Sequence, residues 1–161
     1  MSDILSELKD KSDIQDTILK YATGIDTRDW ALYRSIFADE LEMDFSSYSG
    51  QPGSKMTGDE WAANVQLLLP GFDATQHVFT NFVIDLRGDE ATATVYMKAE
   101  HFIANKLGDN SHTQGGYNVH QMKRHADGWK IHATTLNVTW SRGNRHVYQL
   151  AMERVAAGKG A

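Results

Sequence analysis

Three side chains that lie far apart in the chain have the chemistry of a proton-transfer site. His77 closes the tripeptide 75–77 (Thr-Gln-His), His101 closes 99–101 (Ala-Glu-His), and Asp26 lies far upstream. A general base needs a pKa near the working pH, and histidine supplies one without heavy tuning. A carboxylate that holds the imidazole in one tautomer makes that base more effective. These residue types therefore indicate an Asp/His dyad, provided that the fold brings them together.

Composition excludes several other classes of function. The chain has 161 residues, 41% apolar and 23% charged, as expected of one soluble globular domain. Its net charge is −5 and it has no basic stripe, which argues against nucleic-acid binding. The absence of cysteine excludes disulfides, thiolate metal sites and cysteine nucleophiles.

The ends of the chain predict its boundaries and its location. The N-terminal segment lacks the charged and apolar regions of a secretory signal, and the longest apolar runs, such as Val65–Pro70, are far shorter than a membrane span of about 20 residues. We therefore expect a cytoplasmic protein and no membrane partner. We expect residues 1–11 to be an N-terminal extension, 12–157 to be a single domain and 158–161 to be a flexible tail.

The element that must carry Asp26 is a predicted helix. Residues 12–15 (Ser-Asp-Ile-Gln) have the form of a capping box, and apolar residues follow at helical spacing. We expect the helix to end near Thr27–Arg28, which places Asp26 in the last turn. The helix dipole repels a carboxylate there at a cost of roughly 0.3–1 kcal/mol, which indicates another use for this side chain.

A second helix, a strand and a third helix are predicted next. Asp29 caps a helix over Trp30–Phe37, alternation from Leu41 predicts a strand to Tyr48, and Ser46–Lys55 has loop composition. A second capping box at 57–60 (Thr-Gly-Asp-Glu) opens a helix that Pro70 ends.

The strands that must carry both histidines occupy the second half of the chain. Four long segments rich in Val, Ile, Thr, Tyr and Trp, divided by turn signals, are 76–86, 90–105, 113–126 and 128–141, and a helix over 145–157 follows them. This order predicts an α+β fold in which N-terminal helices close the concave side of a highly curved antiparallel sheet. The interior of that cone is the natural ligand site.

Strand alternation predicts which side chains face this interior. In segment 90–105 one face carries Met97 and His101 together with Ala93, Val95 and Ala99, and we expect this face to point inwards. Segment 113–126 has polar groups on both faces and leaves its orientation open.

Short motifs in the same order resemble a known family. They are 25–30 (Ile-Asp-Thr-Arg-Asp-Trp), 41–45 (Leu-Glu-Met-Asp-Phe), 75–77, His101, 118–120 (Asn-Val-His), 127–130 (Asp-Gly-Trp-Lys) and Trp140. Together, from about Ile14 to about Trp140, they resemble the scytalone dehydratase-like, SnoaL-like branch of the nuclear transport factor 2-like superfamily. That resemblance implies a cone-shaped fold. It also implies the elimination of water or hydrogen halide without a cofactor.

The resemblance also implies roles for individual residues. Asp26 and His77 match the family's proton-transfer pair, His101 its second histidine, and Asn118 an asparagine that orients the substrate or a water. Scytalone dehydratase has tyrosines where this chain has Ile25 and Phe45, and a serine where it has Gly116. The hydroxyl that polarises a substrate carbonyl must then come from elsewhere, and Tyr21 and Tyr48 are the candidates. Phe45 and Met97 would contribute apolar walls.

Five histidines remain outside this site. We expect His112, His125 and His146 to be solvated, and His120 and His132 to lie on an outer face. No histidine pair with a nearby carboxylate has metal-ligand spacing, so we expect no metal.

The favoured function is a cofactor-independent lyase, a dehydratase or dehydrohalogenase, acting on a hydrophobic cyclic small molecule. The dyad is equally suited to an isomerase of the ketosteroid type, because it does not decide where the proton returns. The resemblance also covers non-catalytic binding proteins and dioxygenase small subunits. Apolar residues on the outer face, Tyr96, Tyr117 and Val119, favour a homo-oligomer, and the resemblance implies a trimer or a dimer.

Overall fold

The computed structural model describes residues 2–160, so residue 1 of the predicted extension and residue 161 of the predicted tail lie outside it. In chain order the elements are α1 (Ser2–Asp26), α2 (Trp30–Ser35), β1 (Phe37–Asp44), α3 (Ser46–Ser49), β2 (Ser54–Thr57), α4 (Gly58–Gln66), a 3₁₀ turn (Leu69–Gly71), β3 (Ala74–Arg87), β4 (Glu90–Phe102), β5 (Ser111–His125), β6 (Gly128–Gly143) and α5 (Val147–Ala156). None of the helices over this range is long and apolar enough to cross a membrane.

Helix α1 ends at Asp26 as predicted, but it does not begin at Ser12. It is already helical at Ser2, and i,i+4 ion pairs support this first part of the helix, including that of Lys11 with Glu7 at 2.6 Å. The buried Asp10 accepts two hydrogen bonds from Arg124 of β5, at 2.6 and 2.8 Å. These contacts explain why the helix continues through the predicted cap.

The two predicted helix caps that follow are present. Asp29 Oδ1 accepts from the Leu32 N–H at 2.9 Å, and Thr57 and Glu60 form the full capping box. The predicted loop over Ser46–Lys55 is wrong in part, because it contains α3 and the start of β2. The strand before it also ends earlier than Tyr48, since the Asp44 carboxylate accepts from the Ser46 N–H at 2.9 Å and turns the chain.

The sheet has six strands in the order β2-β1-β6-β5-β4-β3. Strands β3 to β6 form the predicted antiparallel meander. The prediction of a wholly antiparallel sheet is wrong, because β1 pairs in parallel with β6. A parallel pair needs a crossover, which the chain provides here through α4 and the meander. The predicted α+β cone with helices over its concave side is confirmed.

The inner face of the sheet follows the predicted alternation on β4. Met97 and His101 are buried there together with Ala93, Val95 and Ala99. On β5 two expectations are wrong: His112 is 4% exposed and His120 is fully buried. Both lie on the inner face, because the even-numbered residues of β5 are the ones that point inwards.

Three irregularities in the meander bend the sheet around the interior. The β3–β4 register shifts between Thr80 and Val83, where Asn81 has a φ of 53°. The β5–β6 register shifts between Gly115 and Gly116 and again between Gln121 and Met122. The remaining histidines lie outside the core: His125 and His146 are exposed as expected, and His132 is half-buried with its Nε2 2.9 Å from that of His125.

Burial of His120 makes the stability of the fold depend on pH. Burial lowers the pKa of His120 from 6.5 to about 3, so the folded protein keeps this ring neutral while the unfolded chain protonates it. Its contribution to stability is therefore complete above pH 6.5 and is lost as the pH falls towards 3. His101 and His112, whose pKa values burial also lowers, act in the same direction.

We expect His120→Gln to make the free energy of unfolding less sensitive to falling pH. Between about pH 6 and pH 4 the free energy of unfolding of the variant should fall less steeply than that of the wild type, by up to about 1.4 kcal/mol per pH unit. Urea unfolding at a series of pH values measures both slopes. Equal slopes would show that His120 does not titrate on unfolding.

Candidate active site

Asp26 and His77 are in direct contact. Asp26 Oδ1 lies 2.8 Å from His77 Nδ1, and Asp26 Oδ2 accepts a hydrogen bond from the main-chain N–H of His77 at 2.7 Å. A third donor, Thr75 Oγ1, reaches Asp26 Oδ1 at 2.9 Å. The carboxylate therefore holds the imidazole by its Nδ1 edge, and no residue within 2–160 bonds to Nε2.

Two features of the fold produce this contact. Strand β3 is an edge strand, so the N–H of His77 is available to a side chain on the side away from β4. Helix α1 ends at Asp26, and the chain turns at Arg28, which has a φ of 60°. The Arg28 guanidinium then donates to the Ile25 carbonyl at 2.6 Å and to Thr75 Oγ1 at 2.9 Å. A positive charge thus lies beside the carboxylate at the negative end of the helix.

His101 lies next to the dyad and is more deeply buried than His77. Its ring centroid is 5.5 Å from that of His77, and Phe72 packs on it at 5.0 Å. Burial, with smaller contributions from His77, His112 and Arg28, holds the pKa of His101 well below its usual value. His101 is therefore a neutral hydrogen-bonding group rather than an imidazolium.

Tyr148 of α5 connects His101 to strand β5. Its hydroxyl lies 3.1 Å from His101 Nδ1 and 3.1 Å from His112 Nδ1, and it accepts from Gln114 Nε2 at 3.3 Å. Burial raises the pKa of Tyr148, so the phenol is neutral. Tyr148, His112 and Gln114 were not predicted as site residues. The even-numbered face of β5 could have indicated the last two.

A cavity of about 220 Å³ opens beside the dyad inside the cone. Its walls are mostly apolar, and its polar side chains are His77, His101, Asn64, Gln114, Asn118, Tyr21, Tyr48, Tyr148 and Trp61. The structure brings His77, His101 and all five predicted substrate-binding residues to this cavity, namely Asn118, Tyr21, Tyr48, Phe45 and Met97. Asp26 lies behind His77, with 22% of its side chain exposed.

The two candidate hydroxyls differ in their surroundings. Burial raises the pKa of Tyr21, and a hydrogen bond with Tyr33 opposes this rise. Tyr48 is half-buried, and the Arg145 guanidinium lies 5.0 Å from its ring. Burial also raises the pKa of Tyr48, so both side chains line the cavity as neutral phenols.

No group of three or more His, Asp or Glu side chains in residues 2–160 could hold a metal ion. That this protein needs no metal or cofactor remains a prediction from the sequence.

A family model described as the SnoaL-like domain matches residues 6–135. The chain belongs to the SnoaL-like domain family. This places it in the nuclear transport factor 2-like superfamily, as the motifs predicted, and no curated protein matches its sequence.

Solved structures share the fold of this SnoaL-like domain over most of its length. The Kfla4162 protein of Kribbella flavida is 25% identical with a TM-score of 0.83, covering 89% of this chain and 99% of its own. LinA-type3 hexachlorocyclohexane dehydrochlorinase of Novosphingobium barchaimii LL02 is 17% identical with a TM-score of 0.72, and the match covers 88% of this chain and 94% of its own. A protein of Novosphingobium aromaticivorans provisionally assigned as a scytalone dehydratase is 18% identical with a TM-score of 0.71, and the match covers 90% of this chain and 93% of its own.

The Asp26 contact should fix the tautomer of His77. A hydrogen bond to a carboxylate contributes about 1.5–3 kcal/mol, so neutral His77 should carry its proton on Nδ1 in more than about nine molecules in ten. Nitrogen-15 chemical shifts of the imidazole measure this directly, with the exposed His146 as an internal reference. Asp26→Asn should let the Nε2–H form appear. A wild-type ring protonated on Nε2 would contradict the contact.

Proposed function

We propose that this SnoaL-like domain is a cofactor-independent lyase that eliminates water or hydrogen halide from a hydrophobic cyclic small molecule. The observation that carries the proposal is the Asp26–His77 contact at the wall of a largely apolar cavity. A base held by one nitrogen and free at the other, beside a largely apolar pocket, is suited to removing a carbon-bound proton.

The two histidines have different roles in the proposed reaction. His77 Nε2 takes the proton from a carbon next to an activating group, and Asp26 stabilises the imidazolium that forms. Because His101 is neutral, it acts as a hydrogen-bond partner for the substrate, and the proton for the leaving group comes from protonated His77. Of the hydroxyls that line the cavity, those of Tyr21 and Tyr48 would polarise a carbonyl in this reaction, because Tyr148 is already bonded to its neighbours.

The solved neighbours support this class of reaction. LinA-type3 is a dehydrochlorinase and a second neighbour is provisionally a dehydratase. An isomerase would use the same first step and return the proton to another carbon. We further propose that the protein is cytoplasmic, binds neither nucleic acid nor membrane, and forms a homo-oligomer through its outer face, where Tyr96 is 56% exposed.

Substitution of the dyad should slow elimination strongly. We expect wild-type protein to form a new conjugated double bond in a cyclic β-hydroxy ketone or a halogenated ring, followed by ultraviolet absorbance. His77→Ala should lower kcat by about 100-fold to 10,000-fold, the usual contribution of a general base, and Asp26→Asn should also lower it strongly. His125→Ala, an exposed histidine outside the cavity, is the matched control.

Activity that survives both substitutions would rule out His77 as the base. Absence of turnover of both the β-hydroxy ketone and the halogenated ring, with binding of either one retained in the wild type and in His77→Ala, would favour a binding protein over a lyase.

A further inference from the structure

A buried amide oxygen at the cavity has no partner. Gln114 is 7% exposed and lines the cavity, yet its Oε1 bonds to nothing within residues 2–160. An unpaired buried acceptor costs about 1–3 kcal/mol. A ligand that donates a hydrogen bond to this oxygen would remove that cost.

The other half of the same amide is held by α5. Gln114 Nε2 donates to the Tyr148 hydroxyl at 3.3 Å, and that hydroxyl also meets His101 Nδ1 at 3.1 Å. Helix α5 is in turn packed closely on the chain before β3: a Cβ on Gly71 would lie 2.0 Å from the Ala151 carbonyl oxygen. Tyr148 therefore fixes the amide nitrogen and leaves Oε1 for the cavity.

Gln114 also has a defined position relative to the dyad. In the sheet register His77 is opposite Ala99, and Ala99 is opposite Gln114, so both polar side chains project from one row of the inner face. They are two strand spacings apart, about 10 Å. A ring lying over the small Ala99 side chain would have one edge at His77 and the other at Gln114.

A second acceptor of the same kind lies further along β5. Asn118 is 3% exposed, and its Oδ1 is also buried without a partner among the residues that the structure describes. Gln114 and Asn118 both line the cavity, on either side of the β5–β6 register shift at Gly115 and Gly116. This part of the cavity thus offers hydrogen-bond acceptors on an otherwise apolar floor.

We propose that Gln114 is a specificity-determining residue that accepts a hydrogen bond from a hydroxyl group of the substrate. The proposal rests on the proposed lyase function and narrows it to hydroxylated rings in preference to halogenated ones. A carbon-bound halogen cannot donate a hydrogen bond, so it would leave Oε1 unpaired. Sites that bond a substrate hydroxyl reject analogues lacking it for this reason.

A binding experiment with matched probes tests the proposal. The full chain is titrated by calorimetry with a naphthol and with the methoxynaphthalene and chloronaphthalene of the same substitution pattern. The wild type should bind the naphthol at least tenfold more tightly than either analogue, which is about 1.4 kcal/mol. Gln114→Met, similar in size but without the acceptor, should remove this preference.

Gln121→Met is the matched control, because Gln121 lies on the same strand but on the outer face, where it bonds Thr92 at 2.9 Å. It should keep the preference. Three results would overturn the proposal: no preference for the naphthol in the wild type, including no binding of it; a preference that persists in Gln114→Met; or equal weakening of all three probes, which would mark a purely structural role.

This test is independent of turnover. A preference for the naphthol without any elimination would support the hydroxyl site and count against the lyase. Elimination from halogenated and hydroxylated rings at equal efficiency would support the lyase and count against Gln114 as a determinant of specificity.

Discussion

The contact between the last residue of α1 and the edge strand β3 is the interaction on which the site depends. A carboxylate at the negative end of a helix is disfavoured by roughly 0.3–1 kcal/mol. Asp26 offsets this with hydrogen bonds from Thr75 Oγ1, the His77 N–H and His77 Nδ1, at 2.9, 2.7 and 2.8 Å. Hydrogen bonds to a charged group contribute about 1.5–3 kcal/mol each, so the local balance favours the contact.

The rest of the fold turns this contact into a site. The bends in β3 and β5–β6 curl the sheet so that one face encloses space, and the helices cover that space with apolar side chains. Tyr148 also lines this cavity and bonds to His101, His112 and Gln114. The result is a largely apolar cavity lined by His77, a second, neutral imidazole and a few fixed polar atoms. That combination is suited to the proton transfer at carbon that we propose.

Local sequence signals predicted the parts of this arrangement that local physics controls. The apolar spacing of α1 placed Asp26 in its last turn, and alternation in β4 placed Met97 and His101 inside the cone. The inner position of His120 was missed because both faces of β5 carry polar side chains, so its amphipathic pattern is weak. The parallel pairing of β1 with β6 and the docking of α5 depend on contacts between distant segments. Tyr148 meets a strand 47 residues away, and no periodicity encodes such a contact.

The central claim is that the Asp26–His77 dyad removes a proton from carbon, whatever happens to that proton afterwards. Exchange of carbon-bound hydrogen from deuterium oxide into cyclic ketones that lack a leaving group, followed by proton NMR, tests this step apart from elimination. The account predicts that wild-type protein accelerates exchange next to the carbonyl and that His77→Ala reduces it to the uncatalysed rate. Exchange at the uncatalysed rate in the wild type, or equal exchange in His77→Ala, would contradict it.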